Sequence, residues 1–213
     1  MASWMTHVFI ASQIYNKVNQ EKSLDKSYFI LGNIAPDLCH DSGVSKEDTH
    51  YQEELYDKLD FGKFIYDINK LQIEDEKIAS FFKGYLCHMI TDDIWLYNIY
   101  NTCYRYNDNI YHNEEKNKLK EEDMEELDKY IANLICPKHV NNLVENIDLD
   151  IIPNWSWINK DIIQANWTKV LNFLKDLNPK DDYKVKHIPK KLLDSFINLS
   201  VRLSIEYIGE LKI

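Results

Sequence analysis

Glycine and proline are scarce in this chain, with five of each among 213 residues. Because sandwiches and barrels need many tight turns, so few turn-forming residues argue against them and favour long helices. The chain is long enough to bury one sizeable core. We therefore predict an all-α fold, a single-domain bundle of about six or seven helices that spans residues 1–213.

Several sequence motifs of common enzyme classes are also missing. No G-x-G pattern occurs, which excludes a phosphate loop of the Walker or Rossmann type. No GxSxG elbow of a serine hydrolase and no HExxH pair of a zinc protease is present. The four cysteines lack CxxC spacing, so we expect buried thiols rather than disulfides or zinc ligands.

Long apolar runs and basic segments are absent as well. No run of about 18 apolar residues predicts a transmembrane helix, and the N-terminus MASWMTHVFIASQ does not resemble a signal peptide, which predicts a cytoplasmic protein. The net charge of −10 argues against stable nucleic-acid binding. The charge run at 116–129 is expected to be a solvated helix face, and it shows no clear seam for an oligomer, whose existence stays open.

Apolar periodicity predicts where the helices lie. A first helix should run from Ser3 to Val18, and the most apolar one, from about Asp75 to Tyr104, should form the core. Between them, a short segment from Lys26 to Leu31 leads into GNIAPD, where Gly32 and Pro36 are expected to break the helix. Ser45 and Asp48 suggest a capping box before a helix at about His50–Leu71. The remaining helices are predicted at Glu121–Ile135, Ile162–Leu177 and Pro189–Leu211.

The most informative segment is GYLCHMITDD, residues 84–93. His88 and Asp92 are four residues apart, so on a helix they share one face. A histidine and a carboxylate buried in an apolar helix need a partner, and a metal ion accepts both. Imidazole and carboxylate suit zinc, with manganese or iron as alternatives.

Three residues elsewhere in the chain could complete such a site. Asp37 closes the motif GNIAPD, and with His50, His88 and Asp92 it would make one four-ligand site. His7 could join Asp92 at a second ion, with Asp92 bridging. Each residue alone has an ordinary explanation, because a helical His–Asp pair often only forms a hydrogen bond, and Asp37 could cap a turn. His7 could be a core histidine and His50 an ordinary helix residue.

The order of these elements carries a family resemblance. WMTH near the start, GNIAPD, an isolated histidine after a loop and then GYLCHMITDDIW resemble the zinc-dependent phospholipase C family over residues 4–95. The resemblance implies an all-helical hydrolase with metal ions in a cleft between helices. It implies Asp37, His50, His88 and Asp92 as ligands of the first metal, and His7 and Asp92 as ligands of another.

The sequence departs from the secreted members of that family in three ways. Their exposed N-terminal tryptophan binds metal through its amine, whereas Trp4 follows Met-Ala-Ser and has an amide nitrogen. Asn98 stands where they have another histidine. Their downstream His-x-x-x-Glu or His-x-x-x-Asp pair is missing, because His112, His139 and His187 are followed at that spacing by Lys116, Leu143 and Lys191. The sequence therefore predicts one or two ions rather than three.

We expect a metal-dependent hydrolase that acts on a phosphate ester, with a phospholipid headgroup or a nucleotide-like small molecule as substrate. Metal-activated water would attack, and Asp37 or another carboxylate would accept its proton. The alternative is a noncatalytic helical module that binds a metal and a ligand or partner, since a structural zinc is closed by four protein ligands. An open water position beside a cleft would separate the two. A third alternative is a metal-free helical bundle.

Overall fold

The computed structural model describes residues 2–18, 24–40, 43–52, 58–105, 113–135, 147–152, 154–155 and 157–213, and these segments contain helices and no β-strand. The all-α prediction is confirmed. A π-helical segment, Trp95–Arg105, continues directly from α5, and a short 3₁₀ turn covers Leu149–Ile151. The α-helices are α1 Trp4–Val18, α2 Lys26–His40, α3 Lys46–His50, α4 Phe61–Asn69, α5 Glu76–Ile94, α6 Asn113–Leu134, α7 Lys160–Asp176 and α8 Lys190–Ile208.

Helix α5 is the centre of the core, as its composition predicts. From Ala79 to Ile94 every residue except Lys83 and Asp93 is buried, so neighbours cover nearly every face of this part of the helix. Helices α1, α2, α4 and α8 pack against it. The Asp75 carboxylate starts the helix by accepting hydrogen bonds from the amides of Lys77 and Ile78. The predicted central helix is thus confirmed as α5 with its π-helical continuation.

Helices α2 and α5 share the most extensive contact in the described structure. A Cβ atom at Gly32 would lie 1.9 Å from the Phe81 carbonyl oxygen, and one at Gly84 would lie 2.0 Å from the Phe29 carbonyl oxygen. Only glycine permits so close an approach of two backbones. The Asn33 side-chain amide donates a hydrogen bond across this contact to the Gly84 carbonyl oxygen (3.1 Å).

The expected break at Gly32 and Pro36 is wrong. Helix α2 continues through both residues to His40, and Tyr28–Cys39 are buried. A proline inside a helix removes one backbone hydrogen bond. Burial of almost the whole helix against α1, α5 and α7 offsets that loss, so tertiary packing outweighs the local preference.

The helix expected from about His50 to Leu71 is also wrong. Ser45 does cap a helix, since its hydroxyl oxygen accepts from the Asp48 amide (3.0 Å), but α3 begins at Lys46 and ends at His50. Tyr51 follows in the left-handed conformation, with φ 54°, which ends the helix. A separate helix, α4, starts after its own cap at Asp60.

The later helices lie close to their predicted positions. Helices α7 and α8 agree with the predictions to within a few residues, whereas α6 begins at Asn113, eight residues before the expected start. Cys39, Cys87 and Cys103 are buried free thiols, and Cys136 lies outside the described residues. None of the described helices combines the length and apolarity that crossing a bilayer requires. That residues 1–213 form a single domain stays a prediction.

Candidate metal centre

Four predicted ligands meet where α2, α3 and α5 come together. Asp37 lies near the end of α2, His50 ends α3, and His88 and Asp92 lie one turn apart on α5. One donor atom of each lies within 4.8 Å of all the others, and all four residues are buried. The close contact at Gly32 and Gly84 makes this meeting possible, because Asp37 and His88 follow those glycines by about one helical turn.

The distances between donor atoms suit a single ion. His50 Nε2 lies 3.1 Å from His88 Nε2 and 3.5 Å from Asp92 Oδ2. Asp37 Oδ1 lies 3.8 Å from each of the two Nε2 atoms. Ligands of a tetrahedral zinc ion with bonds of about 2.0–2.1 Å are about 3.4 Å apart. The observed distances lie on both sides of that value, so a small divalent ion fits among these atoms.

The hydrogen-bond partners of both imidazoles leave Nε2 free for a metal. His88 Nδ1 lies 2.8 Å from the Asn33 carbonyl oxygen, which only accepts, so Nδ1 carries the proton. His50 Nδ1 lies 2.8 Å from the Thr49 hydroxyl, which in turn donates to the Lys46 carbonyl oxygen. Fixing a ring through its second nitrogen is typical of metal-binding histidines.

Unpaired polar atoms at the same place support the fit. Among the described residues, Asp37 Oδ1 and Asp92 Oδ2 are buried without a hydrogen-bond partner. Buried carboxylate oxygens without a partner are costly. Two imidazole lone pairs 3.1 Å apart repel unless a cation or a proton lies between them. A divalent ion would satisfy all four atoms at once.

The two carboxyl groups have opposite pKa shifts. Burial and the charge of Asp92 raise the pKa of Asp37, although the imidazoles of His7 and His50 oppose this. Burial alone would raise the pKa of Asp92, but nearby positive charge, to which the imidazoles of His50 and His7 contribute, holds it well below its usual value. Burial and the neighbouring His7 lower the pKa of His88 well below the usual range. His88 is therefore neutral at pH 7, the form that binds a metal.

His7 lies next to the group of four, in contact with His88 and Asp92. Its ring stacks on His88 with the centroids 4.0 Å apart, and its Nε2 lies 3.3 Å from Asp92 Oδ1. The Ala2 amide donates to the same Asp92 oxygen (2.9 Å). Asp92 thus faces the group of four with Oδ2 and His7 with Oδ1, as a bridging role requires. Within the described ranges, no further His, Cys, Asp or Glu joins His7 and Asp92 in a second group of three.

A pocket of about 40 Å³ opens onto the centre. His50 and Asp92 are shared between the pocket and the group of four. Asp93, the residue after Asp92, lines the same pocket. Burial and the charge of nearby Lys46 lower the pKa of Lys120. The pocket is also lined by Lys46, Gln52, Leu59, Leu96, Tyr100 and Lys120.

For some residues of the centre, no sequence pattern predicts their role there. The partner of His88 is the backbone carbonyl of Asn33, and any residue supplies a carbonyl. Thr49 could have been found, since its hydroxyl is adjacent to His50 in the chain. Lys120 sits in a run of charges that the sequence assigns to solvent. His112 and His139 lie outside the described residues, and His187 is bound to Asp123 (2.9 Å) rather than free on the surface.

The fold and the centre together define an all-helical protein with a potential metal-binding group of two histidines and two aspartates. Comparison with known families gives the same result. Residues 6–112, which are 107 of the 213 residues, match the zinc-dependent phospholipase C family, and the chain belongs to that family. The matched segment includes all five predicted ligands. No curated protein and no solved structure matches the chain.

Proposed function

We propose that this protein is a zinc-dependent hydrolase that cleaves a phosphate ester, with a phospholipid-like or nucleotide-like substrate. The observation that carries the proposal is that His50 and Asp92 belong both to the four-residue group and to the wall of an open pocket. A divalent ion held there would lower the pKa of a bound water toward about 7 and offset charge on phosphoryl oxygens. A cytoplasmic location stays a prediction.

Each residue of the centre has a defined part in this proposal. Asp37, His50, His88 and Asp92 hold the ion, and Asn33 and Thr49 fix the two imidazoles. His7 supports Asp92 and would hold a second ion with it. The donors that the described residues supply favour one ion, because His7 and Asp92 alone are too few for a stable second site. Zinc is the expected metal, with manganese and iron as alternatives.

A carboxylate must also accept the proton of the attacking water. Asp37 is our candidate, since its Oδ1 lies 3.8 Å from both ligand imidazoles. Asp93 is the other carboxylate within reach, because it lines the pocket. Asp37→Asn and Asp93→Asn separate the two. Because Asp37 is also a ligand in this proposal, both variants are assayed at saturating zinc, and the acceptor is the residue whose metal-loaded variant loses about 10²–10⁴-fold in kcat.

Metal content of the purified protein is the first test. Wild type should contain one or two equivalents of zinc, manganese or iron by elemental analysis, and His88→Ala should lose it. His187→Ala is the matched control, because that histidine lies apart from the centre and binds Asp123. Full metal content in His88→Ala would show that the site is placed wrongly. Only trace metal in wild type, with no uptake from added zinc, would overturn the hydrolase proposal.

The noncatalytic metal-binding module makes a different prediction. A structural zinc has all four positions filled by protein and needs no access for water. The pocket beside His50 and Asp92 favours the hydrolase, because it gives a substrate a route to the centre. Protein that holds a full equivalent of metal but turns over neither phosphate monoesters nor diesters would favour the module.

A further inference from the structure

One oxygen of Asp92 is held by the start of α1 and the residues that lead into it. The Ala2 amide donates to Asp92 Oδ1 (2.9 Å), and His7 Nε2 lies 3.3 Å from the same oxygen. A carboxylate oxygen has two lone pairs, so it can accept more than one partner. With Oδ1 held in this way, Oδ2 faces His50 Nε2 at 3.5 Å. The positions of Ala2 and His7 therefore decide how the carboxylate is turned.

Ser3 fixes both Ala2 and His7. It follows Ala2 directly, and its carbonyl oxygen accepts from the His7 amide (3.0 Å) in the first turn of α1. Its hydroxyl oxygen accepts from the Thr6 amide (3.2 Å), as in a helix cap, and lies 3.0 Å from the Thr6 hydroxyl. Any shift of Ser3 would therefore move both groups that contact Asp92 Oδ1.

Asp128 on α6 holds Ser3 in turn. The Ser3 hydroxyl donates to Asp128 Oδ1, and the two residues are 125 positions apart in the chain. Asp128 is buried and lies outside residues 6–112, the segment that matches the family. A hydrogen bond to an ionised carboxylate is roughly twice as strong as one between neutral groups. This contact therefore ties α6 to the start of α1, at the point from which Asp92 is held.

We propose that Ser3 and Asp128 are positioning residues for the metal ligand Asp92. Ser3 holds Ala2 and His7 against Asp92 Oδ1, and Asp128 holds Ser3. Neither residue belongs to the group of four that would bind the ion. The inference rests on the proposed function and adds α6 to the elements on which the centre depends. Loss of a group that orients a ligand typically lowers metal affinity 10- to 100-fold, by about the same factor as we expect here.

Zinc affinity of Ser3→Ala and Asp128→Ala tests this role. It is measured at pH 8, where the Asp128 carboxyl, with a pKa of about 7, is ionised, by competition with a chelator of known affinity. Each variant should bind zinc about tenfold or more weakly than wild type. Asp128→Ala leaves the helix cap at Ser3 in place, so its loss cannot be assigned to the cap. Asp128→Asn keeps an oxygen that accepts from Ser3 and should retain nearly the affinity of wild type.

Asp123→Ala is the matched control for a general loss of stability. Asp123 is a second buried carboxylate on α6, but it accepts from Tyr104 and contacts His187 rather than Ser3. Its removal should destabilise the fold, as urea denaturation measures, and should leave the zinc affinity of the folded protein unchanged. An equal loss of zinc affinity in Asp123→Ala and Asp128→Ala would mean that Asp128 acts through stability alone, which overturns the inference.

The visible absorption of protein loaded with Co(II) supplies a second readout, since it depends on the ligand geometry around the ion. We expect Ser3→Ala and Asp128→Ala to change this spectrum and Asp123→Ala to leave it as in wild type. Wild-type zinc affinity and an unchanged spectrum in both Ser3→Ala and Asp128→Ala overturn the inference while the proposed function stands. If wild type itself takes up neither zinc nor cobalt, the proposed function fails, and the inference fails with it.

Discussion

At the scale of single residues, the centre depends on side chains that touch no substrate. Thr49 is fully buried, and its hydroxyl oxygen accepts a hydrogen bond from His50 Nδ1–H. This contact decides which nitrogen of His50 faces the metal. The Asn33 carbonyl does the same for His88. Only the hydroxyl can be removed by mutation, which makes Thr49 the residue to test.

Thr49→Val should lower metal affinity about 10- to 100-fold, because His50 loses the partner that orients its ring. Valine has nearly the same shape, so the packing of the helix is kept. Thr49→Ser keeps the hydroxyl and is the control. Zinc affinity is measured by competition with a chelator of known affinity. Equal affinity in Thr49→Val and Thr49→Ser would mean that the hydroxyl does not orient His50.

Asp128 is a second residue whose surroundings have a measurable consequence. It is 8% exposed on α6 and accepts a hydrogen bond from the Ser3 hydroxyl. Burial raises its pKa to about 7, against the lowering effect of Ser3. The folded protein therefore binds this proton more tightly than the unfolded chain does. The stability that the neutral carboxyl provides is fully present below about pH 4 and is lost as the pH rises toward about 7.

Asp128→Asn should remove this pH dependence, since the amide stays neutral. Relative to the variant, wild type should lose about 1.4 kcal/mol of unfolding free energy per pH unit between about pH 4 and pH 7. Asp128→Asn should thus be more stable than wild type at about pH 8, where the wild-type carboxyl is ionised. Urea denaturation across this range measures the difference. A constant difference between the two proteins would show that Asp128 is not the titrating group.

At the scale of elements, the α2–α5 contact positions the centre. Gly32→Ala would place a methyl group 1.9 Å from the Phe81 carbonyl oxygen, and a backbone atom cannot move aside alone. We expect a loss of at least about 2 kcal/mol of stability and weaker metal binding, because the helices must separate. Thermal denaturation and metal content measure both effects.

Gly62→Ala on α4 is the control for that experiment. The nearest atom to its new Cβ would be a side-chain oxygen of Asp60 at 3.4 Å, an ordinary contact. Alanine favours a helix over glycine by about 1 kcal/mol, so this variant should be neutral or slightly more stable. If both substitutions have the same effect, close approach of α2 and α5 is not what Gly32 provides.

At the scale of the whole molecule, the centre ties three helices together. Its buried carboxylates and imidazoles lack enough protein partners, so an ion that binds only the folded state should stabilise the fold. Free zinc at about 100 times its Kd would add about 2.7 kcal/mol. For a chain of this length that is a rise in Tm of roughly 5–10 °C.

Removal of the metal with a chelator is the corresponding experiment. Wild type should melt at a lower temperature after chelation, and added zinc should restore the original Tm. His88→Ala, which lacks a ligand, should respond to neither treatment. A wild-type Tm that does not change with metal would contradict a folding role for the centre.

The sequence by itself determined the helical class and indicated the four residues that meet in the potential metal-binding group. Scarce glycine and proline and an apolar period of 3.6 residues are local properties, so α1, α5, α7 and α8 could be placed from them. The four-residue spacing of His88 and Asp92 fixes a common face on any helix. The order of WMTH, GNIAPD and GYLCHMITDD in the chain is enough to indicate the family, because it requires no knowledge of tertiary contacts.

Only the tertiary structure decided how these parts meet. Gly32 and Pro36 read as a break, yet packing keeps α2 helical to His40. In the charge run at 116–129, Glu125 and Lys129 pair at the surface, while Asp123 and Asp128 are buried and Lys120 lines the pocket. In a sequence, a buried charged residue cannot be distinguished from an exposed one of the same type. Which of them turns inward depends on the neighbouring helices, because burial is a property of the packed fold rather than of the residue.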